Sequence, residues 1–117
     1  MSFLEIVHVV IAAATILTGL VSLLRPRAVQ GFTGLTAPGA RGLAEIRAIL
    51  GGAFIGLGLA PLILGPGAAY QMLGITYLVI AAARVVGLVV DRSTEASNLI
   101  SLAVEIVFGL LLLIGVG

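Results

Sequence analysis

The sequence contains no cysteine, no lysine and a single histidine, and only 9% of its 117 residues are charged. Each shortage excludes something. Without cysteine there is no disulfide, no thiolate nucleophile and no thiolate metal site, and the redox compartment leaves no trace. One histidine gives too few nitrogen ligands for a metal centre, and bis-histidine haem ligation would need a second copy of the chain, so neither a metal nor another cofactor is expected. With no lysine, no basic run and a formal net charge of +1, nucleic-acid binding has no electrostatic footprint. A soluble domain carries about a quarter charged residues. This chain has too few to coat a globule in water.

What is present is apolar. Hydrophobic residues make up 61% of the chain, gathered into four segments at 3–24, 43–64, 68–90 and 98–116. Each is close to the ~20 residues a helix needs to cross the hydrocarbon layer. The runs are continuous and lack the two-residue alternation of a membrane barrel. The expected fold is all-α, a four-helix transmembrane bundle forming one domain over residues 1–117. The first segment lacks the basic flank of a cleavable signal peptide and is expected to be retained.

Helix-breaking residues separate the segments. Arg25-Pro26-Arg27 closes the first, and Gly65-Pro66-Gly67 makes a tight turn after the second. Asp91-Arg92-Ser93-Thr94-Glu95 divides the last two, with Ser93 or Asp91 expected as N-cap. The longest connection, 25–42, holds Gly31, Gly34, Pro38 and Gly39 and is expected to be irregular, with Phe32 and Leu35 dipping into the interface. Arg25, Arg27, Arg41 and Arg92 fall in the first and third connections, while the second connection and both ends carry no basic residue. The positive-inside rule then places both termini outside the cytoplasm in a multi-pass protein of the cell inner (plasma) membrane.

Small and polar residues recur at alternating three- and four-residue steps, the period of one helical face. The stripes are Glu5, His8, Ala12, Thr15, Gly19, Ser22; Arg41, Glu45, Ala48, Gly52, Gly56; Tyr70, Gly74, Tyr77, Ala81, Arg84, Asp91; and Asn98, Ser101, Glu105, Gly109. Lipid offers helices no hydrophobic reason to associate, so close approach at small residues and interhelical polar contacts must hold them. Gly52-x-x-x-Gly56, extended by Ala48 and Ala60, is the strongest small-residue ladder, and Gly51 and Gly58 make a second small face on the same side as Arg47. An echo of Val10-Ile11-Ala12-Ala13-Ala14 at Val79-Ile80-Ala81-Ala82-Ala83, and of Ala44-Glu45-Ile46 at Val104-Glu105-Ile106, would make the bundle two repeated helical hairpins.

Glu45, Arg47, Arg84 and Glu105 lie within apolar spans, where a central charge costs at least ~2.5 kcal/mol, and they are expected to turn away from lipid. Arg84 and Glu105 stand at similar depth and form the natural ion pair. Glu45 is one turn from Arg41. Arg47, on the far side of its helix from Glu45, needs a loop carbonyl, an acidic partner helix or a lipid phosphate. These five residues are the candidate polar network or anion and lipid site. Glu5 and His8, one turn apart, form a weaker outer-side pair with the spacing of a proton relay or a metal site, more simply read as interfacial polarity. No nucleophile, base and orienting residue cluster, so no enzyme mechanism is expected.

Arg25-Pro26 closing the first helix, Glu45-x-Arg47-Ala48-x-x-Gly51-Gly52 with Gly56 and Gly58, and then Arg84, Gly87, Asp91 and Glu105 resemble a bacterial family of four-helix integral membrane proteins known only as a domain of unknown function. The resemblance covers nearly the whole chain and implies the architecture without an activity. Length and helix number are also similar to those of small multidrug exporters. Their embedded first-helix glutamate is poorly matched by Glu5, and their aromatic-lined site is missing. The leading expectation is a non-enzymatic accessory subunit or lipid-binding or small-anion-binding module, with membrane lipids, a second copy or a larger membrane complex as partner. The alternative is a small proton-coupled transporter of hydrophobic or cationic compounds working through Glu5 or Glu105.

Overall fold

The computed structural model describes residues 1–115. It is all-α, with no strand among the described residues. Five helices follow in order: α1 Phe3–Leu24, α2 Pro26–Thr33, α3 Ala40–Leu64, α4 Ala68–Val90 and α5 Ala96–Leu113. All but α2 are long and apolar enough to cross a bilayer, which makes this a multi-pass membrane protein. The fourth segment ends at Leu113; the expected end at residue 116 lies outside the described residues.

The connections follow local chemistry, with two departures from expectation. The stretch 25–42 contains the two-turn helix α2, where irregular chain was expected. Pro26 sits at its first position, where the missing N–H costs nothing, and Gly34 ends it at φ 79°, its N–H donating to the Gln30 carbonyl. Pro26, expected only to close the first helix, starts the second, and Gly34, expected to make the chain irregular, stops it. Phe32 and Leu35, both about half exposed, lie at its far end. Neither Ser93 nor Asp91 caps α5; the helix begins after Glu95, whose side chain makes no capping bond. The turn Gly65-Pro66-Gly67 forms as expected, with φ of 85° and 119° at its two glycines. At the start of the chain the Glu5 N–H donates to Ser2 Oγ at 3.2 Å. Ser2-Phe3-Leu4-Glu5 thus has the spacing and half the bonding of a capping box, a signal readable in the sequence.

The residues group into two compact units, 1–8 with 64–117, and 9–63. In the first unit, α4 and α5 run antiparallel. Gly74 and Gly109 face each other so closely that a β-carbon on either would sit 3.1 Å from the other's carbonyl oxygen. Tyr70, Leu73, Gly74, Tyr77 and Ala81 line the buried face of α4, and Glu105, Gly109 and Leu112 that of α5. The Tyr77 and Phe108 rings meet edge to face at 5.5 Å, a favoured aromatic geometry. Tyr70, Gly74, Tyr77 and Ala81 of the one expected stripe and Glu105 and Gly109 of the other are buried, Arg84, Asn98 and Ser101 are half-buried, and Asp91 is exposed.

In the second unit, α1 and α3 run antiparallel. Here the leading ladder is corrected. A β-carbon on Gly51 would meet Leu23 and the Gly19 carbonyl, and one on Gly58 would lie 2.5 Å from the Ala12 carbonyl oxygen. Gly52 and Gly56 have nothing within 4 Å, and Arg41, Glu45 and Ala48 on the same expected stripe are exposed. Close approach needs a small residue on both sides at one level. The small residues of α1, Ala12 and Gly19, lie opposite Gly58 and Gly51, while Gly52 is turned a full residue step, about 100°, away. From Ile46 to Ala53 the helix is also a π-helix, whose wider turns break the regular period on which the stripe was drawn. Pro61, inside α3 and buried, removes one backbone donor, a loss that transmembrane helices tolerate.

Gly58→Ala is therefore expected to destabilise the protein by about 1–3 kcal/mol, the range for overpacking against atoms that cannot move. Gly52→Ala should be neutral or slightly stabilising, since alanine is the better helix former. Thermal unfolding of both variants in detergent checks this, and equal effects would refute the assigned packing face.

Candidate functional site

In the first unit the polar centre is Arg84 on α4. Its Nε donates to Glu105 Oε1 at 2.8 Å and its Nη2 to Oε2 at 2.6 Å, a two-pronged match of planar fork to carboxylate. Nη1 donates to Asn98 Oδ1 at 2.9 Å. Asn98 and Glu105 are seven residues apart on α5, two turns, so both sit on the face toward Arg84. The Asn98 amide donates in turn to the Ser93 carbonyl at 2.8 Å and to Ser93 Oγ at 3.2 Å. The Ser93 hydroxyl donates to Glu95 at 2.5 Å. A chain of hydrogen bonds thus runs from a carboxylate inside the span to the loop that joins α4 and α5. At its exposed end, the Ser93 hydroxyl and then Glu95's own backbone N–H hold the Glu95 carboxyl below the usual carboxylate range.

Both members of the central pair are withdrawn from the surface, with side-chain exposures of 30% for Arg84 and 10% for Glu105. All three guanidinium nitrogens are engaged. This arginine has little left for a ligand, and its geometry is that of a clasp between two helices.

His8, only 5% exposed, lies in the same unit. Its Nε2 is 2.8 Å from the Leu111 carbonyl oxygen, to which the ring N–H donates, and its ring stacks at a tilt on Tyr70, 5.4 Å between centroids. The last four carbonyls of a helix lack intrahelical partners. Ile114 satisfies that of Leu110, and His8 satisfies that of Leu111. Glu5, one turn away, is exposed. The expected outer-side pair is replaced by two separate tasks, an N-terminal capping turn and a helix-end contact, because His8 finds its acceptor on another helix.

In the second unit Arg41 forms an ion pair with Glu45 one turn along α3, as expected. Both side chains are largely exposed, 80% and 52%, so the pair adds little to stability. Arg47 reaches the Leu23 carbonyl in the last turn of α1 through Nη1, a helix-end carbonyl in place of the expected loop carbonyl, acidic helix or lipid phosphate. It is exposed, as are Arg25 and Arg27 at the start of α2. The five candidates therefore resolve into two ion pairs and one helix-end contact, with Arg84 and Glu105 in the first unit and Arg41, Glu45 and Arg47 in the second. Asn98 belongs with Arg84 and Glu105, and its seven-residue spacing from Glu105 was the signal. The two helix pairs treat the echoed glutamates differently: Glu105 is buried against Arg84, and its echo Glu45 is exposed against Arg41. Among the described residues no three His, Cys, Asp or Glu gather as metal ligands.

A family model described as a domain of unknown function, DUF4345, matches residues 3–116. The chain belongs to this family. The match takes in every helix described above, so Arg84, Glu105, Arg47 and the glycine contacts all lie within the DUF4345 domain. Neither a curated protein nor a solved structure matches the chain.

Glu105→Gln should cost about 3–5 kcal/mol of stability, the usual effect of stranding one member of a buried pair. The double variant Arg84→Met with Glu105→Leu should recover much of that loss, since no charge is left uncompensated. Unfolding midpoints in detergent decide the matter: a double variant no more stable than the single one would show that the clasp is not what the charges provide.

Proposed function

We propose that this protein is a non-enzymatic membrane module, a small accessory subunit that binds anionic lipid through a basic edge. The observation that carries the reading is an asymmetry of charge. In the first unit Arg84 and Arg92 stand against Glu5, Asp91, Glu95 and Glu105. In the second, Arg25, Arg27, Arg41 and Arg47 stand against Glu45 alone, and all four arginines are exposed. Buried polarity is spent within the protein, on Glu105 and on helix ends, whereas the second unit keeps an excess of cationic groups at the end of its apolar helices. Arginine near an anionic leaflet is worth about 1 kcal/mol per residue. The short helix α2, with Arg27 at one end and exposed Phe32 at the other, suits the boundary between headgroups and acyl chains.

The orientation we infer rests on Arg25, Arg27, Arg41 and Arg92 falling in the first and third connections, which places those connections in the cytoplasm and both termini outside, in the plasma membrane. The transporter reading draws less support. Glu105 is held at both oxygens by Arg84, and Glu5 belongs to a capping turn.

Native mass spectrometry after gentle extraction should detect retained anionic phospholipid or a partner chain, a second copy included. Lipid retention should weaken as ionic strength rises, because exposed charges are screened. Preparations that carry no anionic lipid and no partner at low salt would overturn the proposal.

A further inference from the structure

We infer that Arg25 and Arg47 together form a phosphate site at the cytoplasmic end of α1, occupied by the phosphate of an anionic lipid. The inference rests on the lipid-binding reading above and gives it an address. Of the four arginines in the second unit, Arg41 has a carboxylate partner in Glu45. Glu45 is the only carboxylate of that unit, so within it Arg25, Arg27 and Arg47 have none among the described residues. Arg47 cannot take Glu45, which lies two residues before it and on the other side of the helix.

The Leu23 carbonyl fixes where Arg47 goes. Its Nη1 donates there, which pins the guanidinium to the last turn of α1, two residues before Arg25. The backbone around Arg25 is itself held: its N–H donates to the Val21 carbonyl at 2.7 Å, its carbonyl accepts from the Ala28 N–H at 3.0 Å, and Pro26 beside it is buried. The Arg47 guanidinium is thereby anchored at the helix end from which the exposed Arg25 side chain departs. Arg47 keeps Nε and Nη2 for a further acceptor, whereas each nitrogen of Arg84 already donates to a side chain of the protein. A phosphate is the oxygen-rich anion that such forks match.

A lipid headgroup and free phosphate share this chemistry. The surroundings favour the lipid, for Leu23 and Leu24 on the same turn are exposed apolar side chains, and Leu24 is 68% exposed. A phosphate at this level would carry its acyl chains along α1.

The test is native mass spectrometry of the full chain with phosphatidylglycerol, with phosphatidylcholine, and with inorganic phosphate alone or in competition. Wild-type protein should retain phosphatidylglycerol, and an excess of inorganic phosphate should not displace it. Arg25→Gln and Arg47→Gln should each weaken retention about tenfold, the loss of one charged hydrogen-bonding partner, while Arg41→Gln changes it little. Arg25→Gln leaves the Leu23 contact intact, so a folding defect peculiar to Arg47→Gln does not blunt the result. Full retention by both the Arg25 and Arg47 variants, with wild-type binding intact, would overturn this site and leave the lipid-binding reading standing. Displacement by inorganic phosphate that binds equally well alone would overturn the lipid assignment. A wild-type protein that retains no phosphatidylglycerol overturns both.

Discussion

A carbonyl or an ionised group inside hydrocarbon has no water to turn to, so its partner must come from the chain, and the rest of this structure is arranged around that requirement. Helices answer it for nearly every backbone group. What remains are helix ends and charged side chains. Arg84 closes on Glu105 and Asn98, His8 meets the Leu111 carbonyl, and Arg47 meets that of Leu23. Two of these three contacts use a basic side chain from one helix to complete the C-terminal turn of another, where the helix dipole also favours a donor or a cation.

Glycine makes such contacts reachable. Gly74 against Gly109, and Gly19 against Gly51, bring backbones into direct contact, and side chains farther along the same faces then need to span only a short gap. Close packing and polar contact are therefore one arrangement seen at different levels of the membrane. In the first unit it absorbs Arg84 and Glu105 entirely. In the second it absorbs one nitrogen of Arg47 and leaves Arg25 and Arg27 outside, and that unequal spending of charge is what the lipid-binding proposal builds on.

Much of this was legible before any coordinates. Membership of the DUF4345 family agrees with the resemblance read from the charged and glycine positions. Stripes at helical spacing foretold the buried faces of α1, α4 and α5: His8, Ala12, Thr15, Gly19 and Ser22 are all buried on α1. The pairing of Arg84 with Glu105 followed from depth alone. In α3 the same reasoning chose the wrong face. Two small faces compete there, and counting small residues favoured Gly52 and Gly56 when the deciding fact was what α1 presents opposite. The π-helix over Ile46–Ala53 also breaks the period that the count assumes. His8 was read beside Glu5 because the two are neighbours in sequence, whereas its acceptor lies 103 residues away.

What the amino-acid order determined alone is what depends on composition and local period: helices long enough to cross a bilayer, the breaks at Pro and Gly, the faces where one stripe is polar and the remainder Leu, Ile and Val, and the charges too costly to leave in lipid. Tertiary structure alone decided which of two equivalent small faces packs and which acceptor each basic side chain finds. Those choices are set by the surface of another helix at the same height, and no pattern within a single helix records it.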